Sequence, residues 1–210
     1  MFPEIPRIFD SISKSNPLFY EESDFVHTIG ERLQREGIRI NYDYDLLRRR
    51  WHYDIHGVAQ ERRASCVIEA KYPTKRAVYW CDKKRFSLST TDTGSAGRVR
   101  ILRDIARVEE AVEQYASLEG HVVLLTNDST FWHGSPDRDD ERTPTVDYLN
   151  LWGAFTDGGF LEPGVLTQYQ LERANPVMTG KYDLRWARYS HPAGDGGEFR
   201  YLHLWISAKR

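Results

Sequence analysis

The stretch Cys66-Val67-Ile68-Glu69-Ala70-Lys71-Tyr72 decides how this chain is read. It is rich in β-branched and aromatic residues, contains no Gly or Pro and stops at Pro73, so it reads as a strand about seven residues long. Side chains alternate across a strand, which sets Glu69 and Lys71 on one face and Ile68 and Ala70 on the other. A buried strand would normally keep charges off its middle. Asp54 supplies a partner for them. It lies on the preceding run from Arg50 to Ala59, and Gly57 with the polar Gln60-Glu61-Arg62-Arg63 marks a turn between the two runs. Paired as a hairpin, the runs bring Asp54 close to Glu69. Two carboxylates that near repel one another unless a hard cation lies between them, and Mg²⁺ with oxygen ligands from Asp54 and Glu69 suits such a site. Lys71 would stand beside the metal, holding or helping to deprotonate an attacking water while the metal stabilises charge on a phosphate. On its own, Glu-x-Lys is also the pattern of an ion pair on a solvated strand face, which is worth little.

The flanking elements give the motif its setting. Upstream, Asn16-Pro17 reads as an N-cap with proline at the first helical position, and Gly37 as the C-terminal stop. Between them Leu18, Phe25, Val26, Ile29 and Leu33 recur at helical spacing as one apolar stripe. Glu22 lies on that stripe and Glu31 on the opposite face. A carboxylate on the core side of a helix is costly unless paired or metal-bound, which singles out Glu22; an exposed first-turn glutamate favoured by the helix dipole is the alternative. Downstream, the spacing predicts a helix from Gly97 to Ser117 with Ile101, Ile105, Val108, Val112 and Tyr115 on one stripe. Arg100, Arg103 and Arg107 line a neighbouring face, a basic stripe able to lie along a phosphate backbone or simply to face solvent. After Gly120, His121-Val122-Val123-Leu124-Leu125-Thr126 reads as a strand buried on both faces.

On these residues the chain resembles the PD-(D/E)XK nuclease superfamily, whose restriction-endonuclease-like core is an α/β arrangement of helix, three strands, helix and strand. Glu69 and Lys71 match its Glu-x-Lys, Asp54 its metal-binding aspartate, with Tyr53 where the eponymous proline stands, and Glu22 the helical glutamate of many members. The resemblance covers about residues 15–127. It implies a Mg²⁺-dependent nuclease, with Mn²⁺ as a substitute, that acts on nucleic acid, more often DNA, in restriction, defence or repair. Asp54, Glu69, Lys71 and Glu22 would be its catalytic set. Double-strand cleavage by one site per chain would further imply a homodimer. Gln114-Tyr115 does not reproduce the Gln-x-x-x-Tyr signature of the RecB-like branch. The competing reading is a catalytically inactive member of the fold that binds nucleic acid or protein.

Composition agrees with this reading. A chain of 210 residues, 40% hydrophobic and 13% aromatic, can bury one substantial core, so a single domain over 1–210 is expected, with an elaboration from about residue 128 onward. The net charge of −2 argues against a general basic coat for nucleic acid, so contacts would come from local patches. The best are Arg48-Arg49-Arg50, Lys75-Arg76 and Lys83-Lys84-Arg85, beside the motif strands. His52, Asp54 and His56 alternate along one run. They would share a face, where a histidine could act as an auxiliary base, contact substrate or bind a transition metal. Cys66 and Cys81 have no zinc-site spacing, and Cys66 is expected in the core. No signal peptide and no apolar run of membrane-spanning length is evident, so a cytoplasmic protein is expected. In the last third, Gly134 to Asp147 reads as a loop, Val146 to Phe155 as a short helix, and Gln168 to Leu171 as the start of another segment. Leu184 to Tyr189 and Phe199 to Ile206 bracket a Pro-Gly-rich turn and predict a β-hairpin.

Overall fold

The computed structural model describes residues 4–46, 52–59, 64–115, 117–134, 154–163 and 178–208. Within them the protein is mixed α/β, with four helices and eleven strands. In chain order these are α1 (Ile5–Ser15), α2 (Glu22–Arg35), β1 (Arg39–Tyr44), β2 (Tyr53–Ala59), β3 (Ala64–Lys71), β4 (Ala77–Cys81), β5 (Lys84–Leu88), α3 (Ser95–Gln114), β6 (Leu118–Thr126), α4 (Thr130–His133), β7 (Phe160–Leu161), β8 (Tyr182–Asp183), β9 (Trp186–Ser190), β10 (Ala193–Gly194) and β11 (Phe199–Ile206).

The centre is a six-stranded sheet in the order β1-β2-β3-β6-β11-β9. All pairs are antiparallel except β3 with β6, the pair joined through α3. Strand alternation divides the buried residues into two cores. Ile55, Ile68, Ala70, Val123 and Leu125 pack with the stripes of α1 and α2, while Val67, Val122 and Leu124 pack with the stripe of α3. The sheet is thus buried on both sides at β3 and β6, as expected where a helix carries the crossover between parallel strands.

Helix α1, which the reading above omits, has Ile5, Ile8, Phe9 and Ile12 at helical spacing, all buried. It ends at Asn16, whose N–H donates to the Ile12 carbonyl, so Asn16-Pro17 closes one helix instead of opening the next. Proline disfavours helical backbone in the residue before it. Helix α2 accordingly starts at Glu22, and the link between the helices is tied to β9 by Tyr189 Oη donating to the Asn16 carbonyl at 2.5 Å.

Three further expectations change. Gly57 sits inside β2, paired with Ile40 and Cys66, instead of marking the turn. Helix α3 stops at Gln114, which leaves Tyr115 exposed beyond the buried stripe. The C-terminal hairpin forms from β9 and β11, but β11 lies inside the main sheet against β6, so it builds the core instead of decorating it. Trp186, Tyr189 and Tyr201 are buried there and Trp205 is exposed. The expected loop, helix and segment between Gly134 and Leu171 lie almost wholly outside the described residues, though Ala154 and Phe155 are buried in a turn. No helix among the described residues is long and apolar enough to cross a membrane.

Candidate functional site

Four elements deliver charged side chains to one point. Helix α2 contributes Glu22 at its first turn, β2 contributes Asp54, β3 contributes Glu69 and Lys71, and α3 contributes Asp104 and Arg107. The Lys71 ammonium is the centre. Glu22 Oε1 lies 3.4 Å from its Nζ, Asp54 Oδ2 and Asp104 Oδ2 both at 3.6 Å, and Glu69 Oε2 at 3.7 Å. The Asp54 and Glu69 oxygens flank one nitrogen and therefore face the same side of the sheet, as a hairpin of β2 and β3 requires.

The orientations are fixed by further hydrogen bonds. Ala70 N–H donates to Asp54 Oδ2 at 2.8 Å, and Tyr72 N–H donates to Glu22 Oε2 at 2.9 Å, so the backbone of β3 and of the residue that follows it holds carboxylates from two other elements. Arg107 Nη2 donates to Glu69 Oε1 at 2.9 Å and also to Asp104 Oδ1, clamping the strand glutamate to the helix aspartate. Tyr53 Oη donates to the Arg107 carbonyl at 3.1 Å and joins the same helix to β2.

Charge at this point is unbalanced. Four carboxylates face two cations, Lys71 and Arg107. Glu69 is 1% exposed, and burial, reinforced by repulsion from Asp104 and Asp54, holds its pKa well above the usual carboxylate value. Asp104 is raised by burial, which Lys71 and Arg107 offset only in part. Burial raises Glu22 as well. For Lys71, burial pulls the ammonium down, but the surrounding carboxylates outweigh it and its pKa lies above the ordinary lysine value. At neutral pH it is therefore a fixed cation and a hydrogen-bond donor, unable to accept a proton.

The cluster opens on a cavity of about 400 Å³ whose lining includes Glu22, Lys71, Asp104 and three arginines of α3, Arg100, Arg103 and Arg107. Their roles differ. Arg100 pairs with Asp92 and Arg107 belongs to the acidic cluster, whereas Arg103 makes no ion pair with a described residue. Lys75, Arg76, Lys83 and Lys84 do not line this cavity. Lys75 is bound 2.7 Å from the buried carboxylate of Asp128, and Lys84 lines a separate cavity with Asp24 and Glu31. Arg48, Arg49 and Arg50 lie outside the described residues.

The two histidines make their contacts with β1. His52 is half-exposed with Nδ1 3.0 Å from Asp43 Oδ1. His56 is stacked on Tyr44 with ring centroids 4.4 Å apart, and burial pushes its pKa down. Spacing placed them beside Asp54 along the chain but did not reveal that β1 would supply their partners. Asp104 is not among the residues singled out from the sequence, yet its signal is present: it falls three residues after Ile101 and four before Val108, on the apolar stripe of α3, just as Glu22 lies on that of α2. Among the described residues no group of three or more His, Cys, Asp or Glu side chains is arranged to hold a metal ion; the carboxylates converge on Lys71 instead. No protein-family model, curated protein or solved structure matches the chain.

Proposed function

We propose that the protein is a Mg²⁺-dependent nuclease built on a restriction-endonuclease-like core, hydrolysing phosphodiester bonds in nucleic acid, in the first instance DNA. The observation that carries this reading is the convergence of Glu22, Asp54, Glu69 and Lys71 from a helix and two strands on one point at the mouth of a cleft. The order α2, β1 to β3, α3, β6 lends support, since it follows the helix, three strands, helix and strand that the resemblance implies once the β4–β5 hairpin is taken as an insertion before α3. So does the chemistry of the donors. Four oxygen-donor carboxyl groups facing only two cations suit a hard divalent cation, whose charge would favour their ionised forms, with Asp54 and Glu69 as its holders and Mn²⁺ as a substitute for Mg²⁺. Such an ion would supply Lewis-acid stabilisation of charge at the scissile phosphate.

The chain's own residues do the rest. Glu22 and Asp54, pinned by the backbone N–H groups of Tyr72 and Ala70, fix the acidic side of the Lys71 cluster. Lys71, held protonated, positions an attacking water or a phosphate oxygen by donating to it and adds positive charge where the transition state gains negative charge. Arg103 faces the same cavity and is available to a phosphate of the backbone. In a plasmid-cleavage assay the wild type is expected to cut with Mg²⁺ or Mn²⁺ and to stop with EDTA. Lys71→Ala and Asp54→Ala are expected to lose cleavage, and Lys71→Ala to keep DNA binding. Undiminished cleavage by Lys71→Ala overturns the assignment.

One observation favours a second reading. Lys71 and Arg107 already bridge the carboxylates into a closed internal network, which a catalytically inactive binding module of the same fold would also need. A wild type that binds nucleic acid but cuts none with either metal selects that reading.

A further inference from the structure

Beyond Lys71 the chain turns at Pro73 and runs out into the β4–β5 hairpin, which starts at the rim of the cleft. Pro73 and Asp92 line the cavity. Their neighbours Thr74 and Thr91 close the hairpin's base through a pair of backbone hydrogen bonds, 3.0 and 2.8 Å long. The ladder then runs from Ala77 opposite Leu88 to Cys81 opposite Lys84. It reverses at Asp82 and Lys83, whose φ values of 49° and 65° make a tight two-residue turn. At the usual strand rise, Trp80 stands on the order of 20 Å from the cleft rim.

The two faces of this ribbon differ. Ala77, Tyr79 and Leu88 are buried against the core and Phe86 packs partly on it. The opposite face carries Trp80 and its direct cross-strand partner Arg85. Trp80 is 52% exposed, an unusual position for so large an aromatic group, and the residue across from it on β10 is Ala193, too small to cover an indole. Lys83 is exposed at the tip and Arg76 at the base. Neither these two nor Arg85 makes an ion pair with a described residue, whereas Lys75 nearby is tied to Asp128. Along the chain the only acidic side chain between Arg76 and Arg85 is Asp82, at the tip, and Asp195 beyond β10 adds one carboxylate lower on the ribbon, where it accepts from Val78 N–H at 2.7 Å.

We propose that this ribbon is a track for an unpaired strand of nucleic acid that leads into the cleft, with a base stacked on Trp80 and phosphates held by Arg85, Lys83 and Arg76. The inference rests on the nuclease reading for what occupies the cleft. An exposed indole flanked by cations that make no ion pair with a described residue is complementary to a base and its phosphates, and a single strand offers the free base faces that a stacked duplex keeps covered. The cations would make binding fall with salt.

The test measures binding in EDTA, by fluorescence anisotropy, of a labelled oligothymidylate, an oligouridylate and a duplex of equal length. The wild type is expected to bind a single strand more tightly than the duplex, the two oligonucleotides separating DNA from RNA. Trp80→Ala is expected to weaken single-strand binding roughly tenfold and Trp80→Phe to restore most of it. Arg85→Glu is expected to weaken binding and flatten its salt dependence. Circular dichroism checks that the variants are folded. Equal affinity of wild type and Trp80→Ala, or a preference for duplex, overturns the proposal. Cleavage is not needed for this readout, so the two readings fail separately. A protein that binds single strands through Trp80 but cuts nothing upholds the ribbon and removes the nuclease, and one that cuts while indifferent to Trp80 does the reverse.

Discussion

Glu69 is a carboxylate that its surroundings would prefer protonated, and this makes it the most informative single residue to change. Burial acts first, then the charges of Asp104 and Asp54, and together they raise its pKa above the ordinary 4.5. A group raised on folding contributes stability that is fully present below its unfolded pKa and is lost as pH rises through the folded value. Glu69→Gln, which keeps the shape of the neutral form, is therefore expected to unfold at a higher temperature than wild type in EDTA, by about a few degrees, with the gap widening across the range from the ordinary carboxylate value of 4.5 upward. Parallel curves would show that Glu69 is not under this strain. Mg²⁺ is expected to raise the wild-type unfolding temperature more at the upper end of that range and to leave Glu69→Gln less affected. Asp104 makes a complementary case, because it touches both Lys71 and Arg107. Asp104→Asn is expected to cost tenfold or more in cleavage with nucleic-acid binding retained; an unchanged rate would make Asp104 a purely structural partner. Both acidic helix residues were legible by one rule, a carboxylate on an apolar stripe. The rule does not say what lies opposite the stripe, so Glu22 gained meaning from Glu69 and Lys71 downstream, whereas Asp104 stood beside three arginines that drew the reading to charge on a solvated face.

At the scale of elements, the site depends on how closely α3 lies on the sheet. Gly120 on β6 sets that distance. A Cβ there would meet Val108 Cγ1 at 2.4 Å and Val112 Cγ2 at 2.8 Å, both on α3. Gly120→Ala must push the helix away, and since Asp104 and Arg107 ride on the same helix the site loosens with it. The expected result is destabilisation of about 1–3 kcal/mol by denaturant titration, together with a lower cleavage rate. A variant as stable as wild type would mean that the helix has room to shift. Helix α1 anchors the opposite face: Phe9 stacks on Tyr201 with centroids 4.7 Å apart, and Phe9→Ala is expected to cost about 3–5 kcal/mol in the same titration. The α1 stripe was readable from Ile5, Ile8, Phe9 and Ile12, as the C-terminal hairpin was from its turn. What local pattern does not encode is strand order. Nothing in Phe199–Ile206 itself says that this strand pairs with β6, because that choice is settled by burial of both faces at long range.

At the scale of the whole molecule, a second pair of buried titratable groups matters for pH: on β6 and β11, His121 Nδ1 and His203 Nε2 lie 3.0 Å apart. Burial pushes His121 down to about 3, with His203 adding to the effect, and pushes His203 down to about 4. The sign is opposite to that of Glu69. These depressed groups contribute stability that is present above about 6.5 and is lost as pH falls toward the folded values. The Glu69→Gln background isolates the effect, and there His203→Gln is expected to flatten the acid limb of the thermal-stability profile. An unchanged limb would place the acid sensitivity elsewhere. The histidine pair was invisible in the sequence because its members are 82 positions apart and meet only when β11 docks on β6. The same long reach applies to Lys71, whose four acidic neighbours come from α2, β2, β3 and α3. A chain emerging from the ribosome exposes Glu22, Asp54 and Lys71 well before α3 can dock on β6, so the complete constellation does not exist on a partly made or misfolded polypeptide. Any hydrolytic power it has would therefore require α2, β2, β3 and α3 all to be docked, so a partly made copy would be inert.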